Sequence, residues 1–191
     1  MAGILPTHQN SGIGFQLKLK QREWAMEYGY RKMIWTFDPL EARNGYFNLC
    51  KLGAYSKTYV PAYYGELKDN LNQGLPADRL VMEWDLGSER VERALAGSGR
   101  LSHPRDDGGL WSAEMATGRK AWPKVCLVPV PANIQTLKKT SPDQALTWRM
   151  ELRHALCTVL SNGYILTGVR KQPDSEIHHY VLERNAEDIQ R

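Results

Sequence analysis

Apolar positions recur with a helical period over residues 13–28. Leu17, Trp24, Ala25 and Tyr28 share one face, and Lys18, Lys20, Arg22 and Glu23 fill the rest. That pattern predicts a helix, with Gln21 breaking its apolar face and Gly29 as its stop. The short apolar run "MAGIL", residues 1–5, is ended by Pro6 and reads as a buried strand. "RKMIWTF", residues 31–37, is rich in β-formers and closes at Asp38-Pro39, so it reads as the next strand. A second helix is expected over 41–52 with Gly53 behind it, then an alternating strand over 54–60. Residues 61–77 hold two prolines and two glycines and read as a loop of the kind that lines sites. A strand over 79–86 and a short helix over 88–96 follow.

Periodicity then fails. Residues 97–123, with "GSGRLSHPRDDGG" at their start, read as a linker. Beyond it, "KVCLVPV" (124–130) is a strand. Ser141-Pro142-Asp143-Gln144 opens a helix with capping-box spacing and proline at its first position. Ala145, Trp148, Leu152, Ala155, Leu156 and Val159 form its apolar stripe, and Asn162-Gly163 ends it. Residues 164–169 and 178–184 read as paired strands. The predicted class is α/β with a mixed α+β sheet. A first unit spans residues 1–96 and a smaller β-α-β-β unit spans 124–191, packed on the first or paired with it.

Composition narrows the partners. The 191 residues are 42% hydrophobic and 24% charged, ordinary for a globular chain. A net charge of +4 suits an anionic small ligand and is too weak to argue for nucleic acid. Cys50, Cys126 and Cys157 are odd in number and lack CxxC spacing, which argues against a disulfide framework and against zinc. His178 and His179 alternate across a strand, so they do not converge on a metal. No apolar run approaches the ~18 residues of a membrane span, and residues 1–10 lack a signal-peptide layout. The expectation is a cytoplasmic protein with no metal, nucleic-acid or membrane partner.

The chemistry concentrates at "HQNSGIGFQL", residues 8–17. Gln9-x-x-Gly12-x-Gly14 stands between a predicted strand and a predicted helix. Glycines let a ligand approach the backbone, and the first helical N–H groups and the helix dipole attract an anion. Two phosphate motifs fail: a dinucleotide fingerprint needs glycine where Leu17 stands, and a Walker A loop needs Lys after Gly14, where Phe15 stands. The pattern Ile4-x-Pro6-x-x-Gln9-x-x-Gly12-Ile13-Gly14 resembles the acyl-CoA signature of the GNAT superfamily of N-acyltransferases. Residues 44–54, "NGYFNLCKLGA", resemble that family's Lys-Leu-Gly-Phe helix ending beside the CoA thiol arm. The resemblance covers residues 1–86, as the second half of the family's fold, and less specifically the rest of the chain.

The resemblance implies that the backbone of Gln9, Asn10, Ser11, Gly12, Ile13 and Gly14 holds the CoA pyrophosphate. It implies that Ile4 and Leu5 pair with the pantetheine arm and that Asn44 reaches that arm or its thiol end. Lys18 either meets the 3′-phosphate or sits on a solvated face. The implied co-substrate is acetyl-CoA or another acyl-CoA, succinyl-CoA included. The implied activity is direct acyl transfer to a small-molecule amine; the alternative is a non-catalytic acyl-CoA-binding or interaction protein of the same fold. The general acid is unassigned. The family's tyrosine position falls on Leu49, leaving Tyr46, one turn earlier, as the weak candidate catalytic residue. The Phe after the "KLG" glycine is Ala54. Glu66 and Asp69 are either a base or solvated, and Tyr59, Tyr63 and Tyr64 either wall an acceptor pocket or pack under the loop. His8 is either a ligand contact or surface, and Trp84 reads as core. The family's domain places several strands ahead of this motif. Residue 1 falls inside a predicted strand, so an open strand edge at residues 1–5 is expected, with a homodimer formed through it.

Overall fold

A computed structural model describes residues 11–65, 75–96 and 108–184. The predicted strand over residues 1–5 lies outside them. Helix α1 (Ile13–Glu27) leads through Gly29, at φ +81°, into strand β1 (Lys32–Phe37). Helix α2 (Ala42–Tyr46) runs on into a π-helical turn (Phe47–Lys51), which Gly53 ends at φ +74°. Strands β2 (Tyr55–Val60) and β3 (Arg79–Asp85) and helix α3 (Glu89–Ala96) complete the first unit. These elements fall where the hydrophobic pattern puts them.

The stretch read as a linker carries structure from residue 108 onward: strand β4 (Gly108–Leu110) and helix α4 (Ala113–Ala116). Strand β5 (Val125–Pro131) follows, then helices α5 (Ile134–Thr140) and α6 (Pro142–Ser161) and strands β6 (Ile165–Arg170) and β7 (Ile177–Glu183). Pro142 takes the first turn of α6 as expected, but Ser141 makes no side-chain cap, a departure from the capping-box reading. Ser141 instead ends α5, donating its N–H to Leu137 O at 2.8 Å.

The molecule is a mixed α/β structure with a seven-stranded mixed sheet, ordered β1-β3-β2-β6-β7-β5-β4. Neighbours are antiparallel except β4 and β5, which are parallel. The sheet passes from the first unit to the second where Ser56 of β2 pairs with Leu166 of β6. Register then fixes the faces. Met82, Ser56, Leu166, Leu182 and Cys126 are successive cross-strand partners, all 0% exposed. The apolar members of that row join one core with Ala25 of α1, Leu49 of the π-helical turn, and Leu152 and Leu156 of α6. Tyr55 with Ile165, and Val125 with Leu127 and Val181, form separate small clusters whose strand positions alternate with that row.

The helix α1 is where the predicted face is corrected. Ala25 is buried, but Leu17, Trp24 and Tyr28 are 47%, 52% and 66% exposed. Phe15, Lys18, Leu19 and Arg22 turn inward instead. Lys18 Nζ lies 4.1 Å from the centre of the Trp35 ring, and Arg22 donates Nε–H to Leu86 O at 2.8 Å and pairs with Glu92. A cation over an indole and a guanidinium on a strand-end carbonyl give these long side chains partners that their polarity conceals in the sequence.

Candidate functional site

Gly12 is the N-cap of α1, in the left-handed region at φ +83° and ψ −7°. Its carbonyl accepts the N–H groups of Phe15 and Gln16 at 3.0 and 3.1 Å, which closes the first turn. No side chain caps this end, and α1 has no acidic residue in its first turn. The positive end of the helix dipole is therefore not offset by a carboxylate of its own helix. A Cβ on Gly12 would meet nothing within 4 Å, so glycine is required by the backbone angle and not by crowding. Ser11, Gly12 and Ile13 are exposed and Gly14 partly so. Ile4, Leu5, His8, Gln9 and Asn10 lie outside the described residues.

The other implied contacts separate. Asn44 is exposed on α2. Lys18 is turned from the turn's open side toward Trp35 and donates to Gln21 Oε1 at 3.1 Å, and burial lowers its pKa. That commitment leaves it a poor partner for a phosphate. Tyr46 is half-buried, with Lys171 Nζ 3.9 Å from its ring centre. Leu49, at the family's tyrosine position, is fully buried, and so is Ala54. Trp84 is core, as expected, and donates its indole N–H to Leu52 O at 2.7 Å. Tyr63 and Tyr64 meet edge to face at 4.9 Å on the exposed loop, while Tyr59 is drawn away from them. Glu66 and Asp69 lie outside the described residues. On β7, His178 pairs opposite Val130 and His179 opposite Pro129. Among the described residues no group of three His, Cys, Asp or Glu side chains could hold a metal, and no helix is long and apolar enough to cross a membrane.

What pulls Tyr59 away is a buried ionic cluster that sequence reasoning missed. Asp78, ahead of β3, is 0% exposed. It accepts Nε–H and Nη2–H of Arg153 at 2.8 and 2.7 Å, the Tyr59 hydroxyl at 2.5 Å and the Ala62 N–H at 2.9 Å. Burial alone would push the Asp78 carboxyl up; Arg153, the Ala62 amide, Tyr59 and Arg149 together hold it below its usual value. Burial and the hydrogen bond to Asp78 raise the Tyr59 phenol above its ordinary range. Nearby, Arg149 Nη2 spans both oxygens of Asp38 at 2.7 and 2.8 Å, while Asp38 Oδ1 also accepts the Leu40 N–H at 2.9 Å. Tyr180, fully buried, donates its hydroxyl to Pro39 O at 2.6 Å. The one sequence signal was Arg149 interrupting the apolar stripe of α6. Its partners lie 111 positions away, and those of Arg153 lie 75 away. Chemically the cluster is a latch joining α6 to β1, β2 and the start of β3. Both carboxylates are engaged by guanidinium groups and are poor bases.

Two cavities flank it. One of about 330 Å³ lies between residues 40–43 and 132–135, where Gln135 Nε2–H bridges to Glu41 Oε1 at 2.5 Å. The other, about 180 Å³, is walled by Trp111, Trp148, Val128 and Leu152 beside His154 and Glu151. Neither includes a residue that the sequence singled out for acyl-CoA. Comparison with models of known families, with curated proteins and with solved structures gives no match for this chain.

Proposed function

We propose that this chain binds an acyl-CoA and transfers its acyl group, acetyl or larger, to the amine of a small molecule. The observation that carries the reading is the left-handed Gly12 N-cap at the open end of α1, in the stretch that resembles an acyl-CoA pyrophosphate turn. The N–H groups of Ile13 and Gly14 stand in the first turn of that helix and suit an anion. In this reading the amine attacks the thioester carbonyl directly, the carbon–sulfur bond breaks, and the CoA thiolate takes up a proton. The backbone around Ile4 and Leu5 would meet the developing oxyanion.

A second reading, acyl-CoA binding without transfer, is favoured by one observation. Leu49 is fully buried where the family carries its tyrosine acid, and Tyr46 lies under Lys171. Ligand-induced thermal stabilisation by CoA, acetyl-CoA and succinyl-CoA tests the site shared by both readings. Gly12→Val is the matching variant: the branched side chain at φ +83° costs about 1–2 kcal/mol of strain and should weaken CoA at least tenfold. Unchanged CoA affinity in a folded Gly12→Val protein refutes the turn as the site. Release of free thiol from acetyl-CoA across a panel of amines separates the two readings: binding without release selects the second.

A further inference from the structure

The outward face of α1 has no role so far. Ile13, Leu17, Trp24 and Tyr28 fall within about 60° of arc at 3.6 residues per turn, and they are 45%, 47%, 52% and 66% exposed. Trp24 packs on Tyr28 with ring centres 4.8 Å apart and on Tyr30 at 6.2 Å. The helix rests on the sheet through its other side, with Phe15, Lys18, Arg22 and Ala25. The result is an apolar stripe along a helix that is already seated in its own fold.

The stripe is self-complementary. Its spacing mirrors itself about a point between Lys20 and Gln21: Ile13 and Tyr28 lie equally far from that point, and so do Leu17 and Trp24. A two-fold axis there would lay α1 antiparallel on a second α1, Leu17 against Trp24 and Ile13 against Tyr28, as an isologous interface requires. Charge favours the same direction. Lys20 and Glu23, 76% and 61% exposed, flank the stripe on the side that also carries Glu27. Antiparallel pairing brings Lys20 of one copy toward Glu23 and Glu27 of the other, whereas parallel pairing sets like charge on like.

We propose that α1 is the interface of a homodimer, paired antiparallel through this stripe. This surface is distinct from the strand edge expected at residues 1–5, and it does not depend on acyl-CoA binding. Half-exposed aromatic and aliphatic side chains from two copies supply roughly 700 Å² of contact, at the small end of specific interfaces. The dimer is therefore a reversible one, in exchange with monomer at micromolar concentrations.

Sedimentation equilibrium from about 1 to about 300 μM, a range chosen to bracket that affinity, should show the mean mass rising from one chain toward two. Trp24→Glu and Leu17→Glu should each weaken association at least tenfold while circular dichroism and the thermal midpoint stay unchanged. Lys20→Glu should weaken it, and Lys20→Glu with Glu23→Lys should restore it. With Cys157→Ser, the pair Leu17→Cys and Trp24→Cys should oxidise to a covalent dimer, and Leu17→Cys alone should not. A monomer throughout the range overturns the proposal, as does a dimer that survives Trp24→Glu. Cross-linking by Leu17→Cys alone overturns it too, because it means parallel pairing. A monomer whose Trp24→Cys thiol resists alkylation does the same, because another part of the chain then covers the stripe.

Discussion

Replacing Asp78 by asparagine removes the charge that anchors α6 to the sheet. The carboxylate takes four hydrogen bonds, two from Arg153, one from Tyr59 and one from Ala62. An asparagine presents a single acceptor oxygen. At least one Arg153 donor then faces the amide nitrogen, and the guanidinium keeps its charge. Removing one partner of a buried pair costs ~3–5 kcal/mol. Arg153 is 24% exposed, although Asp78 is not exposed at all, so water screens part of the loss. The expected cost is the lower figure, about 3 kcal/mol, which for a chain of this length lowers the thermal midpoint by about 6–12 °C.

The assay is urea unfolding at several pH values. The Asp78 carboxyl is held below its usual value in the fold. Such a group contributes stability that is complete above its unfolded value, near 3.9, and lost as pH falls through the lower folded value. The wild type therefore loses this contribution below about pH 4, and Asp78→Asn has none to lose. The two stability curves should converge as the solution is acidified. A gap of equal size at about pH 6 and about pH 3 refutes the charge argument. A cost below about 1 kcal/mol at neutral pH refutes the claim that the carboxylate is the anchor.

Two further outcomes follow from buried backbone contacts and are read by the same unfolding assay. Arg90 donates Nε–H to Gly53 O at 2.9 Å and Nη2–H to Thr167 O at 2.5 Å, tying α3 to the turn before β2 and to β6. Arg90→Met leaves those carbonyls without their donor and should cost about 2–3 kcal/mol; Arg90→Lys should recover less than half of it, because one ammonium cannot reproduce the fork. A Cβ on Gly53 would stand 3.0 Å from Ala94 Cβ, Arg90 O and Val91 Cα, at φ +74°. Gly53→Ala should therefore cost clearly more than Gly29→Ala, at φ +81° with nothing within 4 Å, where strain alone applies, about 1–2 kcal/mol. Equal losses at the two positions would refute the crowding argument.

Most elements were legible because their signals are local. Helix α6 shows its stripe at helical spacing, and β6 and β7 alternate as paired strands do. The elements missed depend on partners. β4 is three residues with two glycines, and it becomes a strand only by lying parallel to β5. α5 is seven residues closed by the Asn133 side chain, whose Oδ1 accepts the Thr136 N–H at 3.2 Å. Side-chain direction was the harder inference. Burying the most apolar face is a sound rule for a helix on a greasy sheet, but Trp35 and the Leu86 carbonyl offer Lys18 and Arg22 better company than a leucine would make. Of the candidate site, the Gly12 turn was readable from glycine spacing, whereas the Asp38–Arg149 and Asp78–Arg153 pairs have no local trace.

The distribution of polar chemistry bears on how a transfer would proceed. Burial raises the Cys50, Cys126 and Cys157 thiols, Cys126 to about 11. Cys50 is further held between the carbonyl and N–H of Val169, at 3.7 and 3.3 Å. Reactive thiols show the reverse, a lowered value in an open electropositive setting. Asp38 and Asp78 are neutralised by arginines, and the Tyr59 phenol is locked to a carboxylate. The buried polar groups of the helix side thus serve the fold, and the open donors at the first turn of α1 are the anion-binding chemistry that the described residues leave available. A reaction run by such a surface has to be carried by positioned backbone amides acting on an activated acyl donor. Direct attack by an incoming amine meets that condition, and a route through an acylated cysteine does not.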